Sequence, residues 1–314
     1  MIGIRTPSRL HFGLLSIAAS DASFGRRFGG VGLMVDRPGI ELLVEPARVW
    51  HAEGPLAERA LTFAKRYCDA TDLKQAFRLT IKSTAPEHAG LGTGTQLGLA
   101  VAHGIVRLVG RPTVDAAQLA KQVGRGLRSS LGIHGFQQGG FLVEGGKTPG
   151  TDIAPLLCRH DFPDDWHVLL ITFPGLAGTH GRCEIDAFAN LAARRRDDHV
   201  TDALCRIVLL GMLPALLERD LPTFGDAVYD FNRHVGEMFH SAQGGVYAHP
   251  HIEAIVQKLR SAGVKGVGQS SWGPTVFAVV PATEAEGLRM WLARQLGVDV
   301  AIAVVQACNR GVVV

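Results

Sequence analysis

Paired cysteines, long apolar runs, a leader segment and any large net charge are all missing from this chain, and lysine is scarce. The five cysteines (Cys68, Cys158, Cys183, Cys205 and Cys308) are odd in number, scattered and without a CxxC pair. Neither a zinc site nor a disulfide framework is expected from them, and reduced thiols suit a cytosol. No apolar run approaches the ~18–20 residues of a membrane span. Met1 passes directly into IGIRTPSRLHFGLL, without a basic segment, apolar segment and cleavage site, so secretion is not expected. A net charge of +3 is too small to imply nucleic acid. With 46% hydrophobic and 19% charged residues, disorder is excluded, and 314 residues suffice for two domains.

Of the 32 basic residues only 7 are lysine and 25 are arginine, the better bidentate partner for phosphate and carboxylate. The one basic run, Arg194–Arg196, is answered at once by Asp197 and Asp198, the pattern of a solvated helix face. Glycine is abundant, 38 residues, but follows no repeat.

The first half mixes strand-like runs (IELLVE, 40–45; FRLTIKS, 77–83) with helical ones (55–68 and 95–109). In the second half a buried strand at 166–173 precedes a largely helical stretch from about 184 to 262. Strand-like segments at 264–269 and 275–280, a helix at 284–296 and a last strand near 299–305 follow. With its helices counted as one layer this is the β-α-β-β-α-β order of a ferredoxin-like unit, hence an α+β protein. The polar turn CRHDFPDD (158–165) is the natural boundary, giving domains 1–162 and 163–314.

Three motifs carry chemistry. In PEHAGLGTGTQLGLAVAHG (86–104), Gly90, Gly92 and Gly94 let the backbone turn and approach a ligand closely. Thr93 and Thr95 offer hydroxyls, with Gln96 next, and a helix starts directly behind them. Successive amides at a helix N-terminus make an anion site. The loop is not a P-loop, because no Gly-Lys-Ser/Thr follows. The second motif, GVGQSSWGP (266–274), places Gln269, Ser270 and Ser271 between two strands, more polar than a hairpin turn requires. The third, GRGLRSSLGIHGFQQGGFLVEGG (124–146), holds Arg125, Arg128 and His134, and an arginine pair can clamp an anion.

TPSRLHFGLL near the start, PEHAGLGTGTQLGLA in the middle and GVGQSSWGPTVFAV near the end resemble the three ordered motifs of the galactokinase–homoserine kinase–mevalonate kinase–phosphomevalonate kinase (GHMP) superfamily. Within it, RLHFGLL, RRFGGVGL, GLGTGTQLGLAVA, GRGLRSSLGIHGFQQGGF and QGGVYAHP are similar to the beta-ribofuranosylaminobenzene 5'-phosphate synthase family. That resemblance implies a ribosomal-protein-S5-like phosphate-binding N-terminal domain and a ferredoxin-like C-terminal domain. It also implies phosphoribosyl pyrophosphate as donor, 4-aminobenzoate or 4-hydroxybenzoate as acceptor, Mg²⁺, and the opening step of methanopterin-type cofactor synthesis. A homodimer is an open assembly state.

The kinases of this superfamily carry a Ser-Gly-x-Asp element some seven residues before a Gly-Gly pair, and its Asp activates the substrate hydroxyl in several of them. Seven residues before Gly139 stands Gly132, and no acid occurs between Asp115 and Glu144. Hydroxyl activation needs a titratable group within reach, so the departure favours a synthase over a kinase. A non-catalytic ligand sensor is the third reading. In a synthase the pyrophosphate would be neutralised by Mg²⁺, the 90–96 amides and one or both of Arg125 and Arg128. Arg9 and His11, in an alternating strand, are candidates to line the site. His88 could touch phosphate, Asp36, Glu144 and Glu184 are unranked candidates for Mg²⁺, and His249 and His251 are not expected to bind metal.

Overall fold

The computed structural model describes residues 1–17, 24–112, 114–178, 181–193, 198–296 and 300–314. The Arg194–Arg196 run lies outside them.

The chain opens with β1 (Ile2–Leu14), β2 (Gly30–Ala47) and β3 (His51–Glu53), then α1 (Ala57–Ala70), β4 (Ala76–Ser83) and α2 (Thr93–Leu108). Helices α3 (Ala116–Gln122) and α4 (Leu131–Gln138) lead into β5 (Phe141–Glu144) and β6 (Leu156–His160). Strand β2 organises this first sheet. From Gly30 to Val44 it pairs antiparallel with β1, while β4 and β5 share its other edge end to end. Ile40, Leu42 and Val44 alternate inward along β2, the period-2 signature of a half-buried strand. They meet Ala60, Phe63, Ala64 and Tyr67 of α1, whose 3–4 spacing marks one helix face, and the nearly all-apolar body of α2.

The second half begins with β7 (Trp166–Thr172), followed by α5 (Gly181–Ala193) and α6 (Asp198–Ile207). A π-helical turn (Val208–Met212) joins α6 to α7 (Leu213–Glu218). Next come α8 (Leu221–Gln243), α9 (Pro250–Ser261), β8 (Gly266–Gln269), β9 (Val276–Pro281), α10 (Ala282–Leu296) and β10 (Ala301–Gln306). The sheet order is β10-β7-β9-β8, antiparallel throughout. That is the ferredoxin-like arrangement expected from the strand order.

Contrary to the expectation that no segment approaches a membrane span, His199–Glu218 is long and apolar enough by length and composition. Its Leu204, Val208, Met212, Ala215 and Leu216 face the core.

One core joins the halves. Phe12 of β1 stacks on Phe277 of β9 with ring centres 4.8 Å apart, and Phe224, Val228, Phe231 and Val235 of α8 fill the space between the sheets. After β10 the chain returns to the first sheet, with bridges from Ala307 to Val35 and from Val313 to Arg5.

Candidate active site

A cleft of about 760 Å³ opens where the two halves meet, lined by β1, the 87–95 loop, the 124–129 loop, α5, α8 and the β8–β9 loop. Local sequence explains its phosphate-like end. Gly90 and Gly92 have φ of 83° and 73°, left-handed values that glycine adopts without strain. Gly92 is the N-cap of α2 and no side chain caps the helix. The Thr93 hydroxyl turns away and donates to the Pro86 carbonyl at 2.9 Å. The first amides of a 16-residue helix therefore face the cleft with the positive end of its dipole.

Guanidinium groups crowd that end. Arg125 donates to the Thr95 hydroxyl from Nε at 3.4 Å and Nη2 at 3.3 Å. Arg59, on α1, pairs with Glu87. A Cβ added at Gly94 would stand 2.3 Å from Arg59 Nη2 and 3.4 Å from Arg125 Nη2, so both guanidiniums overlie the helix entrance. Arg128 pairs with Glu184 at 2.8 Å and lies 4.7 Å from the centre of the Phe188 ring. Burial, with the charges of Arg59 and Arg128 beside it, lowers the Arg125 pKa to about 10. Burial lowers Arg9 to about 10 as well, although Glu144 and Glu184 oppose the shift. Both remain cationic at neutral pH. Like charges held this close, around bare helix amides, form a receptor for a multiply charged anion.

Arg128 leads from that end into an aromatic cluster. Phe188 and Trp272 stack at 4.7 Å, and Phe28 and Phe239 meet Phe188 edge-on at 5.9 and 5.8 Å. The cleft thus joins a cationic pocket to an aromatic cluster that Arg128 covers from the pocket side.

Of the residues singled out from sequence, Arg9, His11, Gly90, Gly92, Thr93, Gly94, Thr95, Arg125, Arg128 and Ser271 form the cleft wall. Gln96, Gln269 and Ser270 lie behind it, bonded internally. The Gln96 side chain donates to the Gly132 carbonyl at 2.7 Å. That of Gln269 accepts from Ala248 N at 2.8 Å and donates to Ser271 O at 2.9 Å. Ser270 Oγ accepts from His11 N at 3.0 Å and donates to Gly90 O at 2.7 Å. A polar loop that resembles a binding loop in sequence is here the fastening between the halves. Its anchor is Asn232, whose amide joins Phe12 O and Gln269 O at 2.8 and 2.9 Å.

Among the carboxylates, Glu184 is in the wall, with Glu87. Glu144 is fully buried behind Ser129 and Ser130, accepting from Ser130 N at 2.7 Å, and burial raises its pKa to about 7. Asp36 is elsewhere, accepting from Gln306 N at 3.0 Å beside β10. His88 is exposed beside the loop and lines the cleft. His134 bonds the Ala154 carbonyl at 2.8 Å, and His249 caps α9. Sequence reasoning missed Arg59, Glu87, Phe28, Phe188, Phe239 and Trp272 as wall residues. Glu87, Trp272 and Phe28 stood inside quoted motifs, the last in RRFGGVGL, with nothing there to mark them as wall residues. The others sit on elements whose own pattern marks only an amphipathic surface or a core.

Residues 56–138 match the family described as GHMP kinases N terminal domain, and residues 212–295 match GHMP kinases C terminal. The chain is 32% identical over 299 residues to the beta-ribofuranosylphenol 5'-phosphate synthase of Methanothermobacter thermautotrophicus, covering 88% of each protein. It is also 32% identical over 333 residues to the protein of that name from Archaeoglobus fulgidus, covering 99% of each. Among solved structures, a mevalonate kinase superposes with a TM-score of 0.69 at 13% identity, over 99% of this chain and 100% of the other. The homoserine kinase of Cytophaga hutchinsonii gives 0.65 at 15%, over 99% and 96%. The kinase fold is thus shared at low identity while sequence identity concentrates on the synthases, and this chain belongs to the beta-ribofuranosylphenol 5'-phosphate synthase family of the GHMP kinase superfamily.

Proposed function

We propose that the cleft joins the ribosyl 5-phosphate of phosphoribosyl pyrophosphate to the carboxylate-bearing ring carbon of a para-substituted benzoate, releasing pyrophosphate and CO₂. One observation carries this reading: uncapped helix amides ringed by Arg9, Arg59, Arg125 and Arg128 share a single cleft with the aromatic cluster of Phe28, Phe188, Phe239 and Trp272. The curated relatives are named for a ribofuranosylphenol product, which favours 4-hydroxybenzoate over 4-aminobenzoate as acceptor.

Breaking the donor's C1–oxygen bond leaves positive charge on the sugar and negative charge on pyrophosphate. The amides of Thr93 and Gly94, with Arg59 and Arg125, stabilise that leaving charge in a partly dehydrated site. The aromatic cluster around Phe188 and Trp272 keeps that side of the cleft dry and so excludes water, which would otherwise capture the sugar cation. Attack through the carboxylate-bearing carbon interrupts aromaticity, and loss of CO₂ restores it. The ring is its own electron sink, so no Schiff-base lysine is required.

Mg²⁺ belongs to the same proposal. Such an ion takes one or two protein carboxylates and completes its shell with phosphate oxygens and water. Glu87 and Glu184, partly exposed in the cleft wall, fit that donor set. When bound, the ion would supply positive charge to the pyrophosphate oxygens.

The test is isotopic. Carboxyl-labelled benzoate is expected to yield labelled CO₂ in a one-to-one ratio with pyrophosphate, only with Mg²⁺ present, and ring label is expected in a phosphorylated product. Pyrophosphate without CO₂ would mean bonding at the amine or hydroxyl, or simple hydrolysis of the donor, and would overturn the proposal.

A further inference from the structure

We propose that His11 is the proton acceptor for the para hydroxyl of the bound benzoate, a role that rests on the decarboxylating reading above. His11 lines the cleft from β1, two residues beyond Arg9, and is only 4% exposed. Its Nδ1 is buried and has no hydrogen-bond partner among the described residues, so no protein group fixes the tautomer of the ring. The backbone on either side is fixed: His11 N donates to Ser270 Oγ and His11 O accepts from Ser271 N, each at 3.0 Å. Gly30 leaves room for the imidazole, since a Cβ there would stand 3.2 Å from Cε1 and 3.4 Å from Nε2.

The reaction needs a base at the para oxygen. As the ring carbon bonds to the ribose, the C1–pyrophosphate bond breaks and its electron pair leaves with pyrophosphate. The para oxygen then supplies electrons to the ring. If it kept its proton it would become a protonated ketone, a far stronger acid than a phenol. Transfer of that proton to the imidazole leaves a neutral cyclohexadienone. The bond to the carboxylate then breaks, its electron pair restores the aromatic ring, CO₂ departs, and the phenolate oxygen takes the proton back from the imidazolium. An amino group needs no such help, because it carries the charge as an iminium.

The other groups around the cleft are less suited. Glu87 and Glu184 are paired with Arg59 and Arg128. Glu144 is fully buried and bonded to Ser130 N. Arg9, Arg27 and Arg128 are cations, and exposed His88 belongs to the phosphate loop. Helix α8 contributes Val235 and Phe239, and the β8–β9 loop contributes Ser271, Trp272 and Gly273, none of which titrates as a base. Burial and the Arg9 charge hold the His11 pKa well below the usual histidine value, so the ring is neutral and able to accept. A weak base suffices for an acid as strong as a protonated ketone.

The experiment measures labelled CO₂ release from pH 6 to 10 by the wild type, H11Q and H11N, each first shown to be folded by circular dichroism. With 4-hydroxybenzoate, kcat of both variants is expected to fall ~10²–10⁴-fold at neutral pH, the usual worth of a general base. The loss should shrink at least tenfold as pH approaches the phenol's own ionisation near ~10, because a phenolate needs no base. The ratio of 4-hydroxybenzoate to 4-aminobenzoate turnover should fall at least tenfold. In the wild type, with no substitution needed, the 4-hydroxybenzoate rate should not track phenolate formation. Equal losses with both acceptors and at every pH, or a wild-type rate that follows phenolate, would overturn the role of His11 alone. A wild type that releases CO₂ from neither benzoate would overturn the function proposed above.

Discussion

The Ser270 hydroxyl donates to the Gly90 carbonyl at 2.7 Å, across 180 residues of sequence. A Cβ at Gly90 would stand 2.1 Å from the Ser270 carbonyl oxygen and 3.1 Å from Gly273 Cα, so the glycine permits the contact that closes the cleft. The Arg9 amide bonds Leu91 O at 2.9 Å, which ties the same loop to β1. The phosphate-like end is thus fixed by both halves of the chain before any ligand arrives, and preorganisation of this kind reduces the cost of binding.

Gly94→Val is expected to weaken donor binding about tenfold or more through lost charge-assisted hydrogen bonds, a cost of ~1–3 kcal/mol. The nearest atoms that its Cβ would displace are the ends of Arg59 and Arg125, which are flexible. The fold should survive, so calorimetric titration with phosphoribosyl pyrophosphate reads the loop directly. Unchanged affinity in the folded variant would show that the loop is only a turn.

Arg128→Ala removes both the Glu184 ion pair and the cation held over Phe188. Loss of one electrostatic stabiliser of the departing charge typically costs ~10²–10³ in kcat. Pyrophosphate and CO₂ release should slow by the same factor, since both follow one bond-breaking step in the proposed reaction. A quench-flow measurement in which CO₂ release alone slows would remove Arg128 from the leaving-group end.

Glu144→Gln should change how stability depends on pH. In the folded protein burial raises the Glu144 pKa from 4.5 to about 7, so the fold favours the protonated form. That preference is fully present below about 4.5 and is lost as pH rises to about 7. At ~1.4 kcal/mol per pKa unit, the wild type should lose up to about 3 kcal/mol across this window relative to the variant. The substituted amide retains an oxygen to accept from Ser130 N. Urea unfolding of both proteins at pH 5 and pH 8 decides it, and parallel stability curves would mean that Glu144 titrates normally.

Phosphoryl transfer from ATP to homoserine, mevalonate or a hexose should be absent. Gly132 has no carboxylate, and the nearest side-chain atoms to a Cβ built there are Thr95 Cγ2 at 3.5 Å, Gln96 Nε2 at 3.6 Å and Arg9 Cδ at 3.8 Å. None of these can act as a base at neutral pH, and a missing base typically costs ~10²–10⁴-fold. Robust transfer from labelled ATP to any small alcohol would sink the synthase reading.

The sequence by itself determined the backbone of the glycine loop at 90–94 and the order of the elements. Gly90 and Gly92 stand at left-handed φ values, a local requirement that any reader of the chain can see. The alternation of Ile40, Leu42 and Val44 and the apolar face of α1 are likewise local periodicities. The tertiary structure decided which polar residues meet a ligand and which are spent inside. Gln269 and Ser270 have the composition of a binding loop, yet packing against Asn232, Ala248 and Gly90 satisfies them internally. Arg59 looks like a solvated helix residue until α1 packs beside α2 and lays its guanidinium over Gly94. Phe28, Phe188, Phe239 and Trp272 come from four separate segments, and only the closing of the two halves makes them one wall. The reason is physical: φ preference and hydrophobic period are properties of a few neighbouring residues, whereas solvent access and partner choice depend on atoms brought in from distant parts of the chain.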